Sequence, residues 1–255
     1  MTHHAVRLCT LALALVLCPA TTVLADPGQP HPEAATVIER YLEHSGGSAR
    51  LSSIESLHAT GTVTVPDQGL DGRIEVWMDA GGRSRVTLEI QGLGTVEEGT
   101  VGDLAWESSL MGPRIKRGEE KALALRNAAI EPLLDWRERY ASAEIEGVES
   151  VGEREAYRLV LTGPGGAEET RLIDTESFLP LGTEQTVESP MGEIHMESRI
   201  LETRTVDGLV YPVKVEQSAG GMRMVLELER VDLDAEIPEG TFTPPEAVQR
   251  MADSG

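Results

Sequence analysis

The spacing of apolar positions changes period three times along the chain. From Glu33 to His44, Ala34, Val37, Ile38, Tyr41 and Leu42 recur at helical spacing, while Glu33, Glu39, Arg40 and Glu43 fall elsewhere. One apolar stripe predicts a helix lying on a core. Gly46-Gly47 ends it, and Ser48 is placed to cap a short second helix carrying Leu51 and Ile54. From Leu57 the period becomes two. Residues 58–65 are β-branched and read as a strand. Ile74, Val76 and Met78 alternate with Arg73, Glu75 and Trp77. After a Gly81-Gly82 turn, Val86, Leu88 and Ile90 alternate with Arg85, Thr87 and Glu89, which predicts a hairpin with one apolar face. Two more short strands follow at 95–101 and 104–108. Gly112-Pro113 breaks the pattern.

Residues 119–139 return to helical spacing, with Ala122, Leu125, Ala129, Leu133 and Trp136 on one face. Pro132 cannot sit deep in a helix, so two pieces are expected with Pro132 opening the second. Seven further strands are predicted at 143–151, 156–162, 169–174, 182–188, 193–203, 210–217 and 222–231. Turn residues such as Gly163-Pro164-Gly165-Gly166, Pro190-Met191-Gly192 and Gly220-Gly221 separate them. Tight turns between neighbouring strands give an antiparallel meander. The expectation is an α+β protein in which about eleven strands form one large curved antiparallel sheet. Its shape is an incomplete, half-open β-barrel with helices plugging the concave face. The helical insertion does not alternate with strands, which excludes a doubly wound α/β fold. Such a body can enclose an apolar cavity.

Composition narrows the partners. The chain of 255 residues carries 43 acidic and 22 basic side chains, a formal charge of −21. That balance argues against nucleic acid, which needs clustered cations, and against docking on anionic lipid. The first 25 residues read as a cleaved secretory signal: Arg7, an uncharged apolar run from Leu8 to Leu17, and Val23-Leu24-Ala25 before a polar segment. The run is too short for an integral membrane span. Both cysteines, Cys9 and Cys18, lie within the first 25 residues, so the mature chain is expected to form no disulfide and to have no thiolate chemistry. Leu17 before Cys18 is too large for a lipid-attachment signal. Residues 26–255 are expected to form a single soluble periplasmic domain of charge −22.

Several short runs resemble the outer-membrane lipoprotein-sorting family, the LolA/LolB-like half-barrels. Gly47-Ser48-Ala49-Arg50-Leu51-Ser52-Ser53-Ile54 continuing through Leu57-His58-Ala59-Thr60-Gly61 looks like the family's entry. Ile173-Asp174-Thr175 with Leu179-Pro180 resembles its middle hairpin. Val206-Asp207-Gly208-Leu209-Val210-Tyr211-Pro212-Val213-Lys214 and Ile237-Pro238-Glu239-Gly240-Thr241-Phe242-Thr243-Pro244-Pro245 resemble its last strands and closing tail. The resemblance implies a periplasmic carrier whose concave apolar face holds the acyl chains of a lipoprotein or lipid, with an envelope membrane protein as a further partner. The same fold allows a second reading, a non-enzymatic envelope sensor or protein-interaction module. The chain departs from the sorting carriers in having nine aromatic residues in all, three Trp, four Tyr and two Phe.

The candidate cavity residues are the apolar strand positions. On the first hairpin these are Ile74, Val76, Met78, Val86, Leu88 and Ile90. Leu125 joins them from the helical insertion, and Ile194, Met196, Met222, Met224 and Leu226 from the later strands. Flexible methionines suit an adaptable cavity as well as an ordinary core. The segment from Gly112 to Trp136 reads either as a lid hinged at Gly112 and Gly118 or as a fixed core helix. Adjacent acids such as Glu97-Glu98, Glu119-Glu120 and Glu168-Glu169 read as a solvated face, because neighbours on a strand point apart. His31, His44, His58 and His195 lack metal-ligand spacing. Asp232, Asp234 and Glu236 only faintly resemble a calcium loop. With no nucleophile elbow and no phosphate loop, neither catalytic residues, metal nor cofactor is implied. A hydrolase using two carboxylates would rest on acid abundance alone.

Overall fold

The computed structural model describes residues 31–189 and 192–253. The signal segment and the Pro190-Met191 turn lie outside the described residues. Helix α1 (Ala34–His44) buries Val37, Ile38, Tyr41 and Leu42, the stripe read from the sequence. It ends in a double-bonded cap: the Gly46 amide donates to the Glu43 carbonyl and the Gly47 amide to the Leu42 carbonyl. Gly46 holds φ +127°, which an L side chain rarely adopts, and a Cβ there would meet Leu209 at 2.3 Å. In α2 (Ser48–Leu51) the capping position is Gly47, and Ser48 is already helical. Ser48 therefore does not cap it.

Among the described residues thirteen strands follow where about eleven were expected. The first six are β1 (Ser56–Val65), β2 (Leu70–Asp79), β3 (Ser84–Ile90), β4 (Gly94–Val101), β5 (Leu104–Ser109) and β6 (Gly112–Ile115). Helices α3 (Gly118–Asn127) and α4 (Trp136–Arg139) come next. The last seven are β7 (Ser142–Val151), β8 (Arg154–Thr162), β9 (Glu168–Asp174), β10 (Pro180–Ser189), β11 (Gly192–Val206), β12 (Leu209–Ala219) and β13 (Met222–Leu233). A last helix, α5 (Glu246–Asp253), closes the chain. The Gly112-Pro113 pair does not break the sheet. It opens β6, an edge strand, where a missing proline N–H is tolerated. Pro132 does not open a helix; α4 begins at Trp136.

All thirteen strands form one sheet in the order β6-β5-β4-β3-β2-β1-β13-β12-β11-β10-β9-β8-β7. Its twelve pairings are antiparallel. Two meanders, β1–β6 and β7–β13, meet where β1 pairs with β13. The ends, β6 and β7, are opposite edges of an unclosed half-barrel. The chain between them, residues 116–141, must therefore travel from one edge to the other. It does so over the concave side, carrying α3 and α4 with it. The expected mid-chain insertion is this crossing.

On the β7–β10 side, the concave face is packed solid. Leu159, Leu161 and Ile173 are fully buried beneath Val37 and Ile38 of α1 and Leu133 of the crossing segment. Burial of this kind stabilises by roughly 1.5–3 kcal/mol per large side chain. The convex face near β5 is covered by the C-terminal tail. There α5 packs on β5 and β6, Trp106 is buried, and Arg85 donates to the Thr241 carbonyl at 3.1 Å. Asp234 fastens the start of that tail, accepting from the Glu55 amide at 2.8 Å.

Candidate ligand cavity

The β2–β6 side of the concave face is not filled. A cavity of about 640 Å3 lies between it, α3 and the β10–β11 hairpin. This is within the range of small-molecule sites, roughly 300–1,000 Å3. Its apolar wall comes from four elements. Met78 and Val86 rise from the sheet, Leu123 and Ala124 descend from α3, and Ile194 and Met196 close the far side.

Antiparallel register builds its charged wall. Val86 pairs with Glu98, Glu98 with Glu107, and Glu107 with Arg114, so four neighbouring strands place these side chains in one row on one face. Two carboxylates directly opposite each other repel, and the two cations of this region settle that repulsion. Arg114 donates through Nη1 at 2.7 Å and Nη2 at 2.5 Å to Glu120 on α3, and through Nη2 at 2.5 Å to Glu107. Lys116 Nζ lies 2.5 Å from Glu98 Oε2. The hydrogen bonds from Arg114 hold the Glu120 carboxyl below its usual range despite burial, and those carboxylates push Arg114 upward. All five groups line the cavity. Three acids and two bases leave this wall one negative charge in excess.

Of the twelve positions expected from sequence, Met78, Val86, Ile194 and Met196 line this cavity. Ile74 is buried, and Val76, Leu88, Ile90, Met224 and Leu226 are half-buried. The pairings of Val76 with Val86 and Ile74 with Leu88 put these positions on the face that carries Met78 and Val86, but Ile74, Val76, Leu88 and Ile90 lie outside the stretch of it that lines the cavity. Met222 is exposed. Leu125 is half-buried on α3, but the helix turns Leu123, Ala124 and Asn127 to the cavity and leaves Ala122 in solvent. The charged row was not read from the sequence. Its signal was present: Arg114 and Lys116 stand two apart, the spacing of one strand face.

The acidic pairs divide as strand geometry requires. Glu97 turns to the convex side, where Arg85 meets it at 2.8 Å, while Glu98 turns inward. Glu169 corrects the expectation of a solvated face, since it is only 4% exposed. Arg171 Nε donates to it at 2.8 Å and the Tyr140 hydroxyl at 3.1 Å. Nearby, the Tyr41 hydroxyl donates to Glu131 at 2.6 Å, and the Leu133 amide donates to the same carboxylate at 2.9 Å. Burial pushes the Tyr140 hydroxyl up to about 12, with the Glu169 charge adding to it, and Tyr41 rises for the same reasons beside Glu131. This network ties α1 and the crossing segment to β9. It does not line the cavity.

No family model matches the sequence, and no curated protein matches it. Solved structures do. A LolA superfamily protein from Nitrosomonas europaea superposes with a TM-score of 0.55 at 17% identity, covering 84% of this chain and 99% of that one. A DUF1329 family protein from Desulfovibrio piger gives 0.55 at 11% identity, covering 85% and 99%. A putative outer membrane lipoprotein-sorting protein domain from Vibrio parahaemolyticus gives 0.51 at 9% identity, covering 82% and 96%. The fold is that of the LolA-like half-barrels. Among the described residues, no helix is long and apolar enough to cross a membrane.

Proposed function

We propose that this protein is a non-enzymatic periplasmic carrier that holds an acylated ligand in the cavity under α3. In this reading residues 1–25 are a cleaved signal, and residues 26–255 are the single working domain. The observation that carries it is the unfilled β2–β6 half of the concave face, set beside a β7–β10 half that α1 packs solid. A half-barrel that needed only a core could have filled both. The Nitrosomonas and Vibrio folds support the reading, since one is of the LolA superfamily and the other a lipoprotein-sorting domain. Met78 and Met196 line the cavity with adaptable thioethers.

Gentle purification of the mature chain followed by native mass spectrometry tests this. An adduct with the mass of an acylated molecule, removed by organic extraction, is expected. A protein that emerges empty and takes up no added amphiphile would overturn the proposal. The alternative role, recognition of another envelope protein, is favoured by the β5–β6 turn. There Leu110 and Met111 are 77% and 87% exposed, and Met111 lines the cavity. Crosslinking to one partner regardless of lipid loading would support it.

A further inference from the structure

The charged wall and the cavity volume together restrict the ligand more narrowly than an acyl chain in general. We propose that the cavity takes a single-chain amphiphile whose head carries no negative charge, an acylglycerol-like or amine-headed molecule, and that it discriminates against free fatty-acid carboxylates. This rests on the carrier reading above and specifies its ligand.

Volume sets the number of chains. A cavity of about 640 Å3 is on the scale of sites that take one drug-sized ligand, roughly 300–1,000 Å3. One long chain and its head fill that space; two or three chains do not.

Charge sets the head. A carboxylate entering the cavity needs a cation to replace its water, and each cation there is already committed. Arg114 is held by Glu107 and by both oxygens of Glu120, and Lys116 by Glu98. The Lys116 side chain is 11% exposed and that of Glu120 17%. An anionic head would compete with these carboxylates for Arg114 and Lys116, and were Glu120 displaced, its largely buried carboxylate would stand unpaired. It would also face the excess negative charge of the row. Rejection through an unpaired charge is a strong form of specificity. Neutral polar groups meet no such barrier. Asn127 and Gln185 line the same space, and the Gln185 amide makes a weak contact with Met196 Sδ at 3.9 Å. A hydroxyl, ester or amine finds donors and acceptors in these side chains without breaking an ion pair.

The test is displacement of the neutral dye N-phenylnaphthylamine from the delipidated mature chain near neutral pH. The three competitors are monopalmitoylglycerol, palmitate and dipalmitoylglycerol. Monopalmitoylglycerol is expected to bind at least about tenfold more tightly than palmitate, the worth of one charge-assisted contact. Dipalmitoylglycerol is expected to compete weakly. Glu98→Gln leaves Lys116 unpaired, so palmitate affinity should rise and the gap should narrow. Glu107→Gln, which releases one bond on Arg114, gives the same readout if the first variant fails to fold. Palmitate binding as tightly as the glyceride would overturn the head-group rule and leave carriage standing. Equal binding of the two-chain lipid would overturn the single-chain rule. No uptake of dye and no competition by any of the three would overturn carriage itself.

Discussion

Arg171→Met removes one partner of a buried ion pair and keeps most of the side-chain volume. The Arg171 side chain is 13% exposed and that of Glu169 5%, with 2.8 Å between Nε and Oε1. Without Arg171, the Glu169 carboxylate keeps only the Tyr140 hydroxyl at 3.1 Å. Stranding a buried charge in this way costs about 3–5 kcal/mol. For a chain of this size, each kcal/mol lowers the melting temperature by roughly 2–4 °C, so a fall of about 6–20 °C is expected. Glu169→Gln combined with Arg171→Met leaves no orphan charge, and it should recover roughly half of the loss. Urea denaturation followed by circular dichroism measures all three proteins, with the m-value checking that the transition is unchanged. A single variant within about 1 kcal/mol of the parent would refute the reasoning, because the pair would then behave as a surface pair. A double variant weaker than the single one would refute it as well.

Three further outcomes are expected. Gly61→Ala should destabilise by about 1–3 kcal/mol or prevent folding, because the added Cβ would sit 2.0 Å from the Glu227 carbonyl oxygen where β1 meets β13; a chemical melt checks it. Asp174 is buried, and burial raises its pKa. Hydrogen bonds from the Ser177 amide and hydroxyl and the Glu176 amide, with Arg154 at 2.6 Å, outweigh this and hold it below the usual 3.8. A depressed carboxyl contributes stability that is present above 3.8 and is lost as pH falls through the lower folded value. Asp174→Asn should therefore flatten the acid limb of stability against pH, measured by urea midpoints; an unchanged limb would contradict it. Ala124→Trp on α3 fills the cavity from above, and dye uptake should fall by about tenfold or more with the far-ultraviolet spectrum unchanged.

The strands were legible because their two faces differ. Ile74 and Val76 alternate with Arg73 and Glu75, Val86 and Leu88 alternate with Arg85, Thr87 and Glu89, and the structure pairs Ile74 with Leu88 and Val76 with Val86. Helix α1 was legible for the matching reason, its stripe of Val37, Ile38, Tyr41 and Leu42. Strand β6 was not, because four residues opening with Gly112-Pro113 carry a turn signal stronger than their period. The face of α3 was misread because the helix borders an open cavity and not a filled core. Leu123, Ala124 and Asn127 share that side, and they have no common polarity to mark it. Glu169 and Arg171 were hidden by their own charge. Alternating charges on a strand normally mean solvent, and only the arrival of Tyr140 and the crossing segment makes them interior.

The meeting of β1 with β13 has a kinetic consequence. Thr64 finds Val225 across 161 residues of chain. Ladders closed over such separations form late, since the loop entropy must be met before the contacts reward it. The N-terminal meander is synthesised first and must wait with β1 as a bare edge until the final strand arrives. During that interval β1 offers unpaired backbone groups to any neighbouring chain. The slowest step of folding and the greatest exposure to aggregation thus fall at the same seam, and a chaperone that shields β1 would act on both.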